Sequence, residues 1–308
     1  MDEGMEAVVE TPKPQPKSVI YRIMHFPLTR IIIAFVLVGL LPLIFGGMAM
    51  KGGRVLGWPD TIVGMLDVLV LLPAAWWGYR LYIRLLENNR GITELDKTGI
   101  NKELAGGIII GAGLFVVIIS TLWALGYYQV NSINAWTTVL PYFWISVKSG
   151  FWEELITRGI MFRIIEEKLG SWIAMAITAL LFGFAHASNP SATMISNISI
   201  TLTAGVLLAL GYMLTRRLWL VIGIHFAWNF TQGGIFGMTV SGIDMGGLLN
   251  AELNGPEWLT GGAFGPEASV LTVCVVSVVS LWMLIKTIQR GHVVQPFWKA
   301  RPTEVTEI

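Results

Sequence analysis

Long apolar runs separated by short polar connections set the pattern of this chain. A helix needs about 20 apolar residues to cross a hydrocarbon core. Read that way, the runs predict eight spans, at roughly 31–50, 60–83, 105–127, 136–158, 171–188, 192–214, 218–236 and 268–288. None alternates with the period of two that a barrel strand requires, and backbone groups in hydrocarbon must find partners within their own segment. Each span is therefore expected to be a helix, and the fold class an all-α polytopic membrane protein. Pro42 and Pro73 lie inside spans and predict kinks or close helix contacts.

Composition agrees. Of 308 residues, 54% are hydrophobic and 13% charged, where a soluble domain carries about 25% charged. A net charge of +1 provides no basic field for nucleic acid. The one cysteine, Cys274, lies in an apolar run. That excludes a disulfide framework and a thiolate metal cluster, and a small buried hydrophobe is expected there. Residues 1–18 are acidic and then proline-rich, without the basic tip and short apolar core of a signal peptide. They read as a disordered tail, followed by an interfacial stretch over 19–30. A single membrane domain is expected over 19–290 and a C-terminal tail over 291–308. His25 and His292 are expected to be surface residues without a role.

The basic residues fix an expected orientation. With eight spans, eighteen of the 21 Lys and Arg fall on the side that holds both termini. Only Lys51 and Arg54 fall on the other side, and Lys148 lies within a span. The count places Arg158 with the first group, and the positive-inside tendency then puts both termini in the cytoplasm. The longest connection on the opposite side, Gly233 to Glu267, is glycine-rich and has no basic residue. A plain external loop is the reading adopted, with a lid or re-entrant element as the sharper alternative. The chain has no internal repeat, which counts against a transporter built from duplicated halves.

Ionisable residues inside spans are costly and are functional candidates by default. Three clusters qualify: Glu153-Glu154 with Arg158 on the fourth span, Phe182 with His186 on the fifth, and His225 with Asn229 on the seventh. Glu154 and Arg158 stand four apart and can pair, while Glu153 lies about 100° around the helix. Phe182 and His186 share a face, as do His225 and Asn229. A tight turn at Leu169-Gly170-Ser171 would fold the fourth and fifth helices into a hairpin with Glu153 and His186 at one height. His225, eight residues past Arg217, is harder to level with them. A fifth helix that spans fully would instead leave His186 near the outer surface. Bland readings exist for each cluster alone: a structural ion pair, interhelical hydrogen bonding, an interfacial histidine.

At these residues the chain resembles the CAAX protease and bacteriocin-processing family of intramembrane glutamate proteases, which includes the type II CAAX endopeptidases. Its pattern is Glu-Glu-x-x-x-Arg, then Phe-x-x-x-His, then His-x-x-x-Asn, met here at Glu153, Glu154 and Arg158, at Phe182 and His186, and at His225 and Asn229. The resemblance covers about residues 139–236. It implies a membrane endopeptidase in which Glu153 and His186 activate water while His225 and Asn229 stabilise the oxyanion. Glu154, Arg158 and Phe182 would support them. The implied substrate is a membrane-associated peptide or protein, either a CAAX-type tail or a leader or signalling peptide. No cofactor is expected; the rival is zinc on Glu153, His186 and His225, although the compact His-Glu-x-x-His motif is absent. Two other classes stay open: a transporter or channel that uses the buried Glu and His as an ion relay, and a non-catalytic immunity or scaffold protein.

Overall fold

The computed structural model describes residues 18–299. The disordered tail expected before Ser18, with Lys13 and Lys17, and the last residues, with Arg301, lie outside the described residues. A short helix, α1 (Val19–Met24), is capped by the Ser18 hydroxyl, which accepts from the Tyr21 N–H. Pro27 then opens α2 (Pro27–Val55), a position where its missing N–H costs nothing.

Proline explains the first irregularity in α2. Pro42 cannot donate to the Val38 carbonyl four residues earlier, and the helix loosens into a π-turn over Phe35–Leu40. The freed Val38 carbonyl accepts the Trp152 indole N–H at 2.7 Å. The close contact expected at Pro42 is therefore a hydrogen bond to another span. Helices α3 (Asp60–Leu86) and α4 (Ile100–Ala124) follow, and α3 runs through Pro73 without a break.

Helix α5 (Leu140–Glu154) passes through a second π-turn, Leu155–Phe162, into α6 (Arg163–Ala185). Within α6 the chain folds back at Gly170, whose φ of 77° suits only a residue without Cβ. A Cβ there would also sit 2.8 Å from the Val294 carbonyl oxygen. This is the tight turn anticipated between the fourth and fifth spans. Next come α7 (Met194–Ile200), a π-turn over Thr201–Gly205 and α8 (Val206–Thr215), then α9 (Trp219–Asn229) with a π-turn over Phe230–Ile235, and finally α10 (Val270–Gln289).

Among the described residues, six segments are long and apolar enough to cross a membrane. One of them, Trp136–Ala185, is the pair folded at Gly170; α9 with its π-turn is shorter than the others. The chain is thus an integral, multi-pass, helical membrane protein. The Met194–Thr215 segment is the central one: 72% of its most apolar window is buried in protein, against 28–39% for the rest. Around it, α4 and α9 meet backbone to backbone. A Cβ on Gly107 would collide with the Leu220 carbonyl and lie 2.9 Å from the Gly223 Cα, the small-residue contact of membrane helices. That contact fixes the depth of α9, and with it His225.

One element lies outside the all-helical expectation. Strands β1 (Tyr128–Ile133) and β2 (Leu249–Leu253) pair antiparallel, Tyr128 opposite Leu253 and Ile133 opposite Leu249. They fall in connections between spans, where water can satisfy a sheet edge. At the opposite end of the molecule, side chains of α2, α3 and α6 form an ionic clamp. Glu87 binds Arg30 (2.6 Å), Arg163 (2.7 Å) and Arg90 (2.5 Å), and accepts from the Tyr82 hydroxyl at 2.7 Å. Glu167 takes the other side of Arg30 and Arg163. Burial pushes the Glu87 carboxyl up, but Arg163 and Arg30 outweigh it and hold the carboxyl at about 2.

Five expectations need correction. Cys274 is exposed rather than buried in protein, because the apolar face of a membrane helix is covered by lipid. Arg158 is fully buried, so it does not belong with the surface charges that set orientation. His292 has partners: its Nδ1 lies 3.1 Å from the Met213 and Leu214 carbonyls. The segment after residue 290 is not a free tail over its described part, since Val294 N–H donates to Ser171 Oγ and Phe297 N–H to the Lys168 carbonyl. His25 is no bare surface residue either, as it stacks on Tyr21 and bonds that residue's carbonyl.

Candidate active site

The site begins at the junction of α5 with its π-turn. Arg158, one turn beyond Glu154, places Nη1 2.9 and 3.0 Å from the two Glu154 oxygens. Its Nη2 donates to the Gly205 carbonyl at 3.0 Å, an acceptor in the π-turn between α7 and α8, where the regular helical bonding shifts register. The guanidinium also lies over the Phe182 ring, 4.7 Å from its centroid. Spacing in the sequence identified the Glu154–Arg158 pair. It missed the third member: Glu154 Oε1 lies 2.8 Å from His225 Nδ1, so one buried carboxylate bridges α5 and α9.

That bond orients the His225 ring. With Nδ1 committed to Glu154, Nε2 turns toward the Glu153 carboxylate, 4.0 Å away. His186 caps the end of α6 and is oriented in the same manner, its Nδ1 lying 2.8 Å from the Phe182 carbonyl. A carbonyl only accepts, so Nδ1 carries a proton, and the lone pair of the ring's neutral form lies at Nε2. Phe182 packs against both imidazoles, with centroid distances of 5.2 Å to His186 and 5.9 Å to His225. Asn229 donates from Nδ2 to Ser149 Oγ at 3.0 Å. Ser149 carries no signal of its own in the sequence.

Glu153, Phe182, His186, His225 and Asn229 line one cavity of about 560 Å³, whereas Glu154 and Arg158 stand behind its wall. The wall is otherwise mostly apolar, with Phe35, Ile156, Met161, Leu181, Leu207 and Val276 from several helices. From Ser171 to Ala185 the second limb of α6 is about 22 Å long, short of a full span. His186, at its end, lines the cavity together with the connection that precedes α10.

That connection is not the plain external loop expected. Val240, Ser241, Ile243, Met245 and Glu267 form part of the cavity wall. The Tyr142 hydroxyl donates to the Ile243 carbonyl at 2.8 Å, and Asn189 Nδ2 donates to the Ser241 carbonyl at 2.9 Å. Glu267 is buried and accepts from the Ser241 N–H and hydroxyl, the latter at 2.6 Å. Burial raises the Glu267 carboxyl above its usual range, against the opposing pull of Ser241 and His186. An acid directly before an apolar run, in a loop without a basic residue, was the one available signal.

The set named for zinc, Glu153, His186 and His225, shares the cavity. Each imidazole has Nδ1 committed elsewhere, as ligating histidines do. Among the described residues, however, no three His, Cys, Asp or Glu side chains come together as a metal site.

Residues 134–231 match the family model described as type II CAAX prenyl endopeptidase Rce1-like. No curated protein matches the chain, and no solved structure does. The matched segment runs from just before α5 to the start of the π-turn after α9, and it contains all three motifs. Over that segment, about a third of the chain, the sequence is similar to the Rce1-like type II CAAX endopeptidases, in keeping with the CAAX protease and bacteriocin-processing resemblance carried by the three motifs.

Proposed function

We propose that the chain hydrolyses a peptide bond of a membrane-associated substrate inside this cavity, using water activated by Glu153. Glu153 and the Nε2 lone pair of His186 hold the water and take its proton as its oxygen attacks the scissile carbonyl. His225, with protons on both ring nitrogens and Nδ1–H on Glu154, donates from Nε2 to the oxyanion that forms, and the Asn229 amide donates beside it. Collapse of the tetrahedral intermediate breaks the C–N bond, and the proton returns to the departing amine, leaving a carboxylate and a free amine. Glu154 and Arg158 act by holding His225 and the helix junction in place. No metal enters this scheme; a zinc route over Glu153, His186 and His225 is its rival.

The observation that carries the reading is the meeting of four polar side chains from three helices in one largely apolar cavity. Of the two adjacent glutamates there, Glu154 is matched by a guanidinium and Glu153 is not. The family description favours a C-terminal CAAX-type tail over a leader peptide as the substrate. The distribution of Lys and Arg favours cytoplasmic termini. A purified preparation that cleaves a prenylated CAAX-type peptide equally with and without a chelator supports the scheme. Hydrolysis lost on chelation and regained with zinc would favour the rival.

A further inference from the structure

Lys148 is a cation within a membrane span that neither the three motifs nor the mechanism above employs. It lies on α5 and pairs with Asp67 of α3, Nζ to Oδ2, at 2.8 Å. The two ends of the pair differ. Asp67 is buried, its side chain 7% exposed, and packed so tightly against α2 that a Cβ on Gly46 would strike its carboxylate. The Lys148 side chain is 23% exposed and lines the cavity, whereas Asp67 does not. The anionic end is thus closed off between helices, while the cationic end stays open to whatever occupies the site.

Among the residues lining the cavity, Lys148 is the one Lys or Arg. An ammonium has three N–H donors, and among the described residues Lys148 uses one, to Asp67. Lys148 and Glu153 both face the cavity from α5, five residues apart, an axial separation of about 7.5 Å. An extended peptide advances about 3.3–3.6 Å per residue. A group held at Lys148 thus lies about two to three residues from a bond positioned at Glu153. At the end of a peptide, the group of complementary charge at that distance is the terminal carboxylate.

We infer that Lys148 binds the free C-terminal carboxylate of the substrate, so that the enzyme measures its cleavage position from the end of the chain. The inference rests on the peptidase reading. Asp67 keeps the ammonium charged and aimed, and the carboxylate takes the donors that Asp67 leaves. Specificity then comes from a charge-assisted contact that an uncharged terminus cannot make.

The test compares one prenylated CAAX-type peptide as its free acid and as its C-terminal amide, with the full-length protein in vesicles. The wild type is expected to favour the acid about tenfold in kcat/KM, chiefly through KM. In Lys148→Gln the acid loses that advantage and the ratio falls to about one, while Lys148→Arg, which keeps the pair with Asp67, retains a clear preference for the acid. Equal cleavage of acid and amide by the wild type overturns the inference and leaves the peptidase reading intact. So does a Lys148→Gln protein that slows both peptides by one factor, as a mere helix clamp would. Failure of the wild type to cleave either peptide contradicts the peptidase reading itself.

Discussion

Two of the groups of buried charge in this molecule are built on different terms. In the clamp that joins α2, α3 and α6, the carboxylates Glu87 and Glu167 share Arg30 and Arg163 between them. Each charge there is answered several times over. In the site, Glu154 is answered by Arg158 and His225, while Glu153 faces a cavity and an imidazole nitrogen 4.0 Å away. A saturated ionic network holds helices together. A network with one carboxylate and two Nε2 atoms left over can do chemistry.

Breaking the site's supporting pair is expected to have the largest effect on stability. Arg158→Met strips the fully buried Glu154 of its guanidinium and leaves it only the His225 imidazole, a loss of about 3 kcal/mol, seen as a fall in unfolding temperature in detergent or as failure to accumulate. Arg158→Lys is not expected to rescue it, because an ammonium cannot serve Glu154, the Gly205 carbonyl and the Phe182 ring together.

The clamp is expected to be softer, since Glu167 remains to its arginines when Glu87 is removed. Glu87→Gln should cost on the order of 2 kcal/mol, and the effect should depend on pH. The folded carboxyl sits at about 2, below its ordinary 4.5, so its contribution is present above about 4.5 and lost as pH falls toward 2. Unfolding temperature should drop over that window in the wild type and change less in Glu87→Gln. Glu267 runs the other way: burial raises it, so its share of stability is present at low pH and declines as pH rises past its ordinary range.

The smallest effect belongs to a single neutral hydrogen bond. Trp152→Phe strands the Val38 carbonyl and should cost about 1 kcal/mol. Pro42→Ala returns a helical donor to that carbonyl, so the two changes together should cost less than their sum. Strict additivity in unfolding measurements would mean that Pro42 does not govern the π-turn.

What the sequence made legible was local. Hydropathy located the helices, and i to i+4 spacing paired Glu154 with Arg158 and set His186 on one face with Phe182. Gly170 announced its own turn. Partners chosen across the fold were not legible: Glu154 meets His225 from 71 residues away, and Lys148 meets Asp67 from 81. No periodicity encodes such a choice, because it depends on how helices are rotated and how deep they lie. The connection before α10 was misjudged for the same reason. Its glycines and acids read as solvent-exposed, whereas its Val240, Ile243 and Glu267 are drawn inward by a cavity that only the assembled helices create.

The central claim is that Glu153 is the carboxylate that activates water. It is tested most directly by cleavage of a prenylated CAAX-type peptide in vesicles by wild type and Glu153→Gln, with chelator present and with unfolding temperature measured in parallel. The expected result is hydrolysis by the wild type that falls at least a hundredfold in Glu153→Gln, while the protein unfolds at a temperature close to that of the wild type. Glu153→Gln protein that is folded and cleaves at the wild-type rate would contradict the account.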